Sequence, residues 1–435
     1  MLIDSFCSSP WIHVRLRYDG SFRVCRWSKE SNTEYNIRTH SIRDFYNSNH
    51  MRDLRTDLLD GKKPKGCARC YYEDSFNKLS GRRRQLLKSA VSIDDFTLSM
   101  RSSPHYMMWR HSYSNDGHSN YQPVDLQIDL GNICNSACIM CSPEASSRLE
   151  TEHNKLNKIE PDLFAKPKSY RSWTRDPEAV EKFVNEIAMF DKLKYIHFLG
   201  GETLYDPAFY DICDRLISAG LASKIIVGTT TNGTIYDERI ERYIREFQQF
   251  HLGISIESVT NLNDYVRWPG KISTILANTD KFCALRADTG LFISMRITPN
   301  IFTVHEIDLM IEYLLEKQVI AESCSILSSP SVLRMELLPD DIRQETITKL
   351  RAVINRHGLS KSSIVNVRDD NKITATIGDV ANDYLTFLEN YTVPEDLNAQ
   401  RNNLVRYLKA FEKLHNNRIT DHAPRYADFL RHHGY

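Results

Sequence analysis

Seven cysteines in two groups carry the densest chemistry in this 435-residue chain. Cys134, Cys138 and Cys141 form a CxxxCxxC array inside residues 125–142, DLQIDLGNICNSACIMCS. Three thiolates on one tight loop can hold three corners of a four-iron, four-sulfur cluster. The fourth iron then has no protein ligand and is open to a substrate or cofactor, whereas an electron carrier has every corner filled. Structural zinc is the alternative, but it takes four ligands, commonly as CxxC pairs, and this loop offers three. The second group is Cys7, Cys25 and the pair in Cys67-Ala68-Arg69-Cys70. Four thiolates can close either a tetrahedral zinc site or a fully ligated cluster.

Both groups need elements that present them. Residues 126–130 alternate, the period of a strand, and Gly131-Asn132 ends it. Val14-Arg15-Leu16-Arg17-Tyr18 and Ser21-Phe22-Arg23-Val24-Cys25 alternate on either side of Asp19-Gly20. That hairpin signal brings Cys7 and Cys25 together at the outer ends of two strands. A helix over 41–59, with apolar Ile42, Phe45, Tyr46, Met51, Leu54 and Leu58, leads through a turn at 61–66 to Cys67. Residues 71–122 have weak periodicity. Gly81-Arg82-Arg83-Arg84 reads as a solvated helix start, and 102–121, rich in Ser, His, Asn and Tyr, as a linker or loop able to cover the active site.

Past Cys141, Ser142-Pro143-Glu144 predicts a helix start, with Ser as cap and Pro in the first turn. Residues 161–176 read as an insertion before a helix over 177–190. Strands at 195–199, 224–230, 251–256, 292–298 and near 324–327 then alternate with helices at 207–219, 237–248, 272–285 and 304–316. Such alternation implies a parallel sheet with right-handed crossovers. About six units make an incomplete barrel with functional groups at the strands' C-terminal ends. Those ends carry Gly200-Gly201-Glu202, Thr231-Asn232-Gly233, Ser255 and Glu257 on one face, and Arg296. Met295 and Ile297 read as barrel packing. Two glycines let backbone approach a ligand closely, and Glu202 can accept hydrogen bonds from an ammonium group. From Pro339 onward the chain reads as helices, with apolar spacing in 342–354 and 404–414. The histidines of 415–433 have no metal-ligand spacing and read as surface groups; gripping substrate or closing the barrel's open edge is a further role for this tail.

Composition sets the bounds. Basic and acidic residues balance at 56 each, so no global field argues for nucleic acid or membrane. Apolar content of 41%, with no apolar run near ~18 residues, describes a soluble protein. The N-terminus lacks the basic region and long apolar core of a secretion signal. Ten cysteines without an export signal imply a reducing cytoplasm, where clustered cysteines bind metal more often than they form disulfides. Cys213, Cys283 and Cys324 stand alone and read as small buried apolar residues.

The CxxxCxxC array resembles the cluster motif of radical S-adenosylmethionine (SAM) enzymes. Met140 stands where the family usually has an aromatic residue near adenine, a role an adaptable thioether can fill. The resemblance implies that Cys134, Cys138 and Cys141 hold a catalytic 4Fe–4S cluster whose open iron binds SAM. It further implies that Gly200, Gly201 and Glu202, similar to the family's GGE motif, bind the amino group of SAM. Thr231 and Asn232 would meet the ribose, and Ser255, ahead of Glu257, its ribose or carboxylate. Arg296 would pair with the SAM carboxylate or with substrate, or serve as an ordinary strand-end ion pair. Tyr265 and Arg267, with Trp268, would contact substrate; a surface loop with a helix start is the plainer account.

Cys7, Cys25, Cys67 and Cys70 resemble a twitch module, the shortened form of the SPASM auxiliary-cluster domain, here ahead of the barrel. This implies a second 4Fe–4S cluster that relays electrons or shapes the substrate pocket. The expected fold is α/β: a partial (β/α)6 TIM-like barrel (123–335), a small N-terminal hairpin-plus-helix iron–sulfur domain (1–75), a linker (76–122) and a helical C-terminal tail (336–435). The expected reaction is cleavage of SAM to a 5'-deoxyadenosyl radical that abstracts a hydrogen atom, first from a peptide or protein side chain, second from a small molecule such as a sugar or nucleoside. A non-catalytic metal-stabilised interaction protein is the remaining class. An electron donor such as flavodoxin or ferredoxin is the expected partner.

Overall fold

Period-two patterning yields eight strands in one sheet: β1 His13–Leu16, β2 Phe22–Arg23, β3 Asp125–Asp129, β4 Tyr195–Leu199, β5 Ile226–Thr231, β6 Gln249–Ser255, β7 Phe292–Arg296 and β8 Ile320–Ala321. The structure, a computed structural model, describes residues 4–28, 34–75, 80–91, 96–164, 171–321, 325–361, 366–367, 373–374 and 376–435. The strand order is β2-β1-β3-β4-β5-β6-β7-β8, so β2 and β8 are the sheet's edges. Strands β3 to β8 pair in parallel, each with the next, as the strand–helix alternation predicts. The hairpin joins this sheet: β1 runs parallel to β3, His13 opposite Asp125 and Leu16 opposite Ile128. Within this sheet β2 pairs antiparallel, with β1.

The two faces of the sheet differ in kind. Leu126, Ile128, Ile196, Phe198, Val227, Leu252, Ile254, Ile293 and Met295 are buried on the face under the crossover helices. Phe198, for example, meets Phe209 of helix Pro207–Ser218 edge-on. Burying each such side chain contributes about 1.5–3 kcal/mol. The opposite face carries Gln127, His197, Gly228, Gly253, Ser255 and Arg296, brought into line by register (Gln127 opposite His197, His197 opposite Gly228, Ser255 opposite Arg296).

Several elements differ from expectation, each for a local reason. The helix over 41–59 is two, Ile42–Tyr46 and Asn49–Leu59, because Ser48 caps a new start by accepting from the Met51 N–H. Residues 102–121 include helix Tyr106–Tyr113, whose Trp109 is buried edge-on against Phe6 at 5.1 Å. Helix Gly81–Lys88 is not a solvated start: Arg82 is buried, donates to the Phe6 carbonyl at 3.0 Å and pairs with Asp74 at 2.6 Å. After Cys141 a short turn, Pro143–Ala145, precedes helix Ser147–Ile159, which Ser146 caps. The last strand of this sheet is Ile320–Ala321, and a separate two-stranded pair, Asn366–Val367 with Ile373–Thr374, follows in the tail. Residues 325–327 are not strand, and Cys324 lies outside the described residues, as do 165–170 of the expected insertion. Cys213 is buried and Cys283 half-buried. The tail is helical as expected, with Asp340–His357, Ile377–Asn390 and Leu397–His415 its long elements. No described helix is long and apolar enough to cross a membrane.

Candidate active site

The loop after β3 is fixed from four sides. The Ala137 N–H donates to the Trp268 carbonyl at 2.7 Å and the Ile139 N–H to that of Val266 at 3.0 Å. Ser146 Oγ donates to the Ser136 carbonyl at 2.6 Å. Asn232 Nδ2 donates to Asn135 Oδ1 at 2.7 Å and to Ser136 Oγ at 3.0 Å. Gly201 completes the frame: a Cβ there would stand 2.4 Å from the Ile133 carbonyl oxygen. Glu202 N–H donates to that same oxygen at 2.8 Å. The second glycine of Gly-Gly-Glu is therefore what lets the cysteine loop lie against the end of β4.

Within this frame the Cys134, Cys138 and Cys141 thiols lie close enough for charge on one to raise the proton affinity of another. Burial, the larger cause, pushes Cys134 and Cys138 up to about 12. Such thiols keep their protons until a metal displaces them. Three adjacent sulfur donors, Cys138 buried and Cys134 and Cys141 half-buried, fit an iron–sulfur cluster bound through three corners. Among the described residues no three His, Cys, Asp or Glu side chains gather as around one metal ion; thiols on separate irons of a cluster need not converge in that way.

Glu202, Thr231 and Asn232 form one network rather than three separate contacts. Glu202 is 1% exposed. Its carboxylate accepts from Thr231 Oγ1 at 2.6 Å, the Asn232 N–H at 2.5 Å and the Leu204 N–H at 3.1 Å. Burial pushes its carboxyl up to about 7 against the pull of these donors. Ser255 and Arg296 face each other across β6 and β7, both half-buried on the polar face, and Arg296 Nη2 lies 3.5 Å from His197 Nε2. Met140 Sδ receives Asn300 Nδ2 at 3.7 Å.

Helix Leu262–Val266 and the residues just past it depart from the surface-loop reading. Tyr265 is buried with its hydroxyl 3.3 Å from Glu412 Oε1, turned toward the C-terminal tail. Trp268 stacks on His415 with centroids 5.1 Å apart. His415 itself pairs with Glu152 at 2.8 Å and its side chain is 7% exposed, so this tail histidine is not a surface group. Arg267 turns to the cysteine loop: Nη2 donates to Glu257 Oε1 at 2.8 Å and Nη1 lies 3.9 Å from Cys138 Sγ. Glu257 is buried, and its other oxygen accepts from the Thr298 N–H at 2.7 Å. Burial works against the Arg267 charge, but Cys138 and Glu257 outweigh it.

The second cysteine group lines one cavity of about 240 Å³. Cys7, Cys25, Cys67 and Cys70 wall it on one side, and Gln127, His197 and Arg296 of the polar sheet face on another. The hairpin delivers Cys25, and helix Ala68–Ser75 starts inside the CxxC. Cys7 stands ahead of a short helix, Ser9–Ile12, that leads into β1, rather than at the end of a strand as expected. Burial pushes the Cys7 and Cys70 thiols up to about 11. Four thiols around one space fit a fully ligated cluster. Gly228 leaves room beside this cavity, since a Cβ there would meet Tyr195 Oη at 2.2 Å and His197 Nδ1 at 2.5 Å. Sequence reasoning missed Gln127 and His197, although polar residues at alternate positions of otherwise apolar strands mark them. It also missed Tyr407, Glu412 and His415, for which the sequence holds no signal beyond a helical period.

A family model described as the radical SAM superfamily matches residues 128–319. A second, described as an iron–sulfur cluster-binding domain and named SPASM, matches residues 7–71. No curated protein sequence matches the chain. Among solved structures, native anSMEcpe with bound AdoMet is 14% identical over 60% of this chain and 80% of its own, with a TM-score of 0.38. Streptococcus suis SuiB bound to S-adenosylmethionine is 10% identical over 70% of this chain and 64% of its own, with a TM-score of 0.36. The same SuiB bound to precursor peptide SuiA is 11% identical over 71% and 62%, with a TM-score of 0.34.

Proposed function

From the premise that this chain belongs to the radical SAM superfamily and carries an iron–sulfur SPASM domain over residues 7–71, we propose that it abstracts a hydrogen atom from a peptide or protein side chain held in the cavity lined by Cys7, Cys25, Cys67 and Cys70. The cluster and SAM together supply the 5'-deoxyadenosyl radical, and the protein supplies position and shelter. Cys134, Cys138 and Cys141 are the ligands we assign to the SAM-binding cluster. Cys7, Cys25, Cys67 and Cys70 are those of the auxiliary one. Glu202, held by Thr231 and Asn232, receives the SAM ammonium group; Ser255 and Arg296 orient its ribose and carboxylate or the near end of the substrate. Met140 lies alongside the adenine.

One observation supports this placement above the others: a single cavity touches all four auxiliary thiols and reaches Leu199 and Arg296 at the C-terminal ends of β4 and β7. Functional groups of parallel α/β folds gather at such ends. Enzymes with SPASM or twitch modules modify peptides or proteins, or act on sugars and other small molecules, and the peptide reading is ranked first. A second reading is a small molecule such as a sugar or nucleoside, whose polar groups can hydrogen-bond Gln127, His197 and Arg296 on the far wall of the cavity. A flavodoxin or ferredoxin is the electron donor in either case.

Label transfer separates the two. A deuterated peptide substrate passing deuterium into 5'-deoxyadenosine supports the first reading. Transfer only from a deuterated sugar or nucleoside replaces it with the second.

A further inference from the structure

The reading of Cys134, Cys138 and Cys141 as cluster ligands leaves one buried cation beside them unexplained. Arg267 is not placed to reach the cavity of the auxiliary cysteines; its guanidinium lies between Cys138 Sγ, 3.9 Å from Nη1, and Glu257, 2.8 Å from Nη2. Its side chain is 14% exposed and that of Glu257 1%. Burying an arginine and a carboxylate carries a desolvation penalty that their mutual attraction must repay. The backbone is built to hold this pair: the Thr298 N–H donates to Glu257 Oε2 at 2.7 Å, the Asn263 side chain accepts the Glu257 N–H at 3.1 Å, and the Arg267 N–H donates to the Asn263 carbonyl at 2.8 Å. Loop 266–268 also holds the cysteine loop through the Val266 and Trp268 carbonyls. The distance from Arg267 to Cys138 is thus set by two rigid connections.

We propose that Arg267 is a positioning residue that raises the reduction potential of the cluster on Cys134, Cys138 and Cys141, and that Glu257 limits the size of that rise. The step is a one-electron reduction: the cluster gains one negative charge, the external reductant loses the electron, and Arg267 keeps its proton throughout. A fixed positive charge against a ligand sulfur favours the more negative state, as hydrogen bonds and local charge do generally at iron–sulfur sites. Glu257, the negative partner of Arg267 at 2.8 Å, subtracts from that field. The two substitutions therefore act in opposite directions, a signature that mere loss of packing does not produce.

The test is an EPR-monitored redox titration of the anaerobically reconstituted full chain, following the signal that changes when SAM is added, so that a fully ligated cluster does not contribute. Arg267→Met is expected to lower the equilibrium constant for reduction at least tenfold, about 59 mV for a one-electron couple. Arg267→Lys is expected to recover part of the loss, and Glu257→Gln to shift the potential upward. Unchanged potentials in variants of normal iron content overturn the proposal. So does a fall in potential for both Arg267→Met and Glu257→Gln. Should Arg267→Met fail to take up iron, the Lys and Gln variants decide by the same signs. A wild-type chain with no SAM-responsive cluster overturns the underlying assignment as well, and is distinguished by its iron content.

Discussion

The phenol hydroxyl of Tyr407 donates a 2.6 Å hydrogen bond to the backbone carbonyl of Ile139, joining the C-terminal helix Leu397–His415 to the cysteine loop across 268 residues of sequence. Both groups are buried. Around this bond Phe164 stacks on Tyr407 at 4.8 Å and Tyr265 reaches Glu412. The tail therefore acts as a brace behind the loop whose thiols must keep their spacing.

Tyr407→Phe removes the donor and leaves the Ile139 carbonyl buried without it. A loss of about 1–3 kcal/mol is expected from an unsatisfied buried group, read from the chemical denaturation midpoint. Iron uptake should fall with it. Unaltered stability and full iron uptake would show that the tail is not a brace.

Gly201→Ala places a methyl group 2.4 Å from the Ile133 carbonyl oxygen, so the cysteine loop or the end of β4 must move. The expected outcome is loss of the SAM-responsive cluster with the auxiliary one retained. Gly220→Ala is the control: nothing lies within 4 Å of its Cβ, and its φ is +70°. It should cost about 1–2 kcal/mol of backbone strain while leaving iron content unchanged. Equal iron in both variants would contradict the role given to Gly201.

Glu202 gives a pH dependence with a definite sign. Its carboxyl is pushed up to about 7 in the folded chain by burial, above the ordinary value near 4.3. The folded state then binds the proton more tightly, so this contribution to stability is fully present below about pH 4 and is lost as pH rises through 7. In the metal-free protein the stability of wild type relative to Glu202→Gln should decline between about pH 5 and pH 7 and level off above. Urea unfolding midpoints at pH 5, 6, 7 and 8 measure it. A difference that is flat or rises with pH contradicts the burial argument.

Much of this site is legible in the sequence because its signals are local. The CxxxCxxC loop, the Gly-Gly-Glu turn and the strand–helix alternation each lie within a few residues, and β3 to β7 stand within two residues of their expected starts. What was not legible depends on distant partners. Arg82 reads as solvated until Asp74 and the Phe6 carbonyl are seen around it. Trp109 sits in a polar run whose helix is held by Phe6. The parallel pairing of β1 with β3 leaves no trace in either segment. Arg267 and Tyr265, two residues apart, turn to opposite partners, one toward Cys138 and the other toward Glu412, and nothing in their spacing predicts that division.

The central claim is that three cysteines hold a cluster with an iron left open for SAM. Anaerobic reconstitution of the full chain, followed by a low-potential reductant and SAM, tests it most directly. The expected result is about eight irons per chain, from two four-iron clusters, and release of 5'-deoxyadenosine that Cys134→Ala abolishes. Bound zinc in place of iron, with SAM left intact, would contradict it.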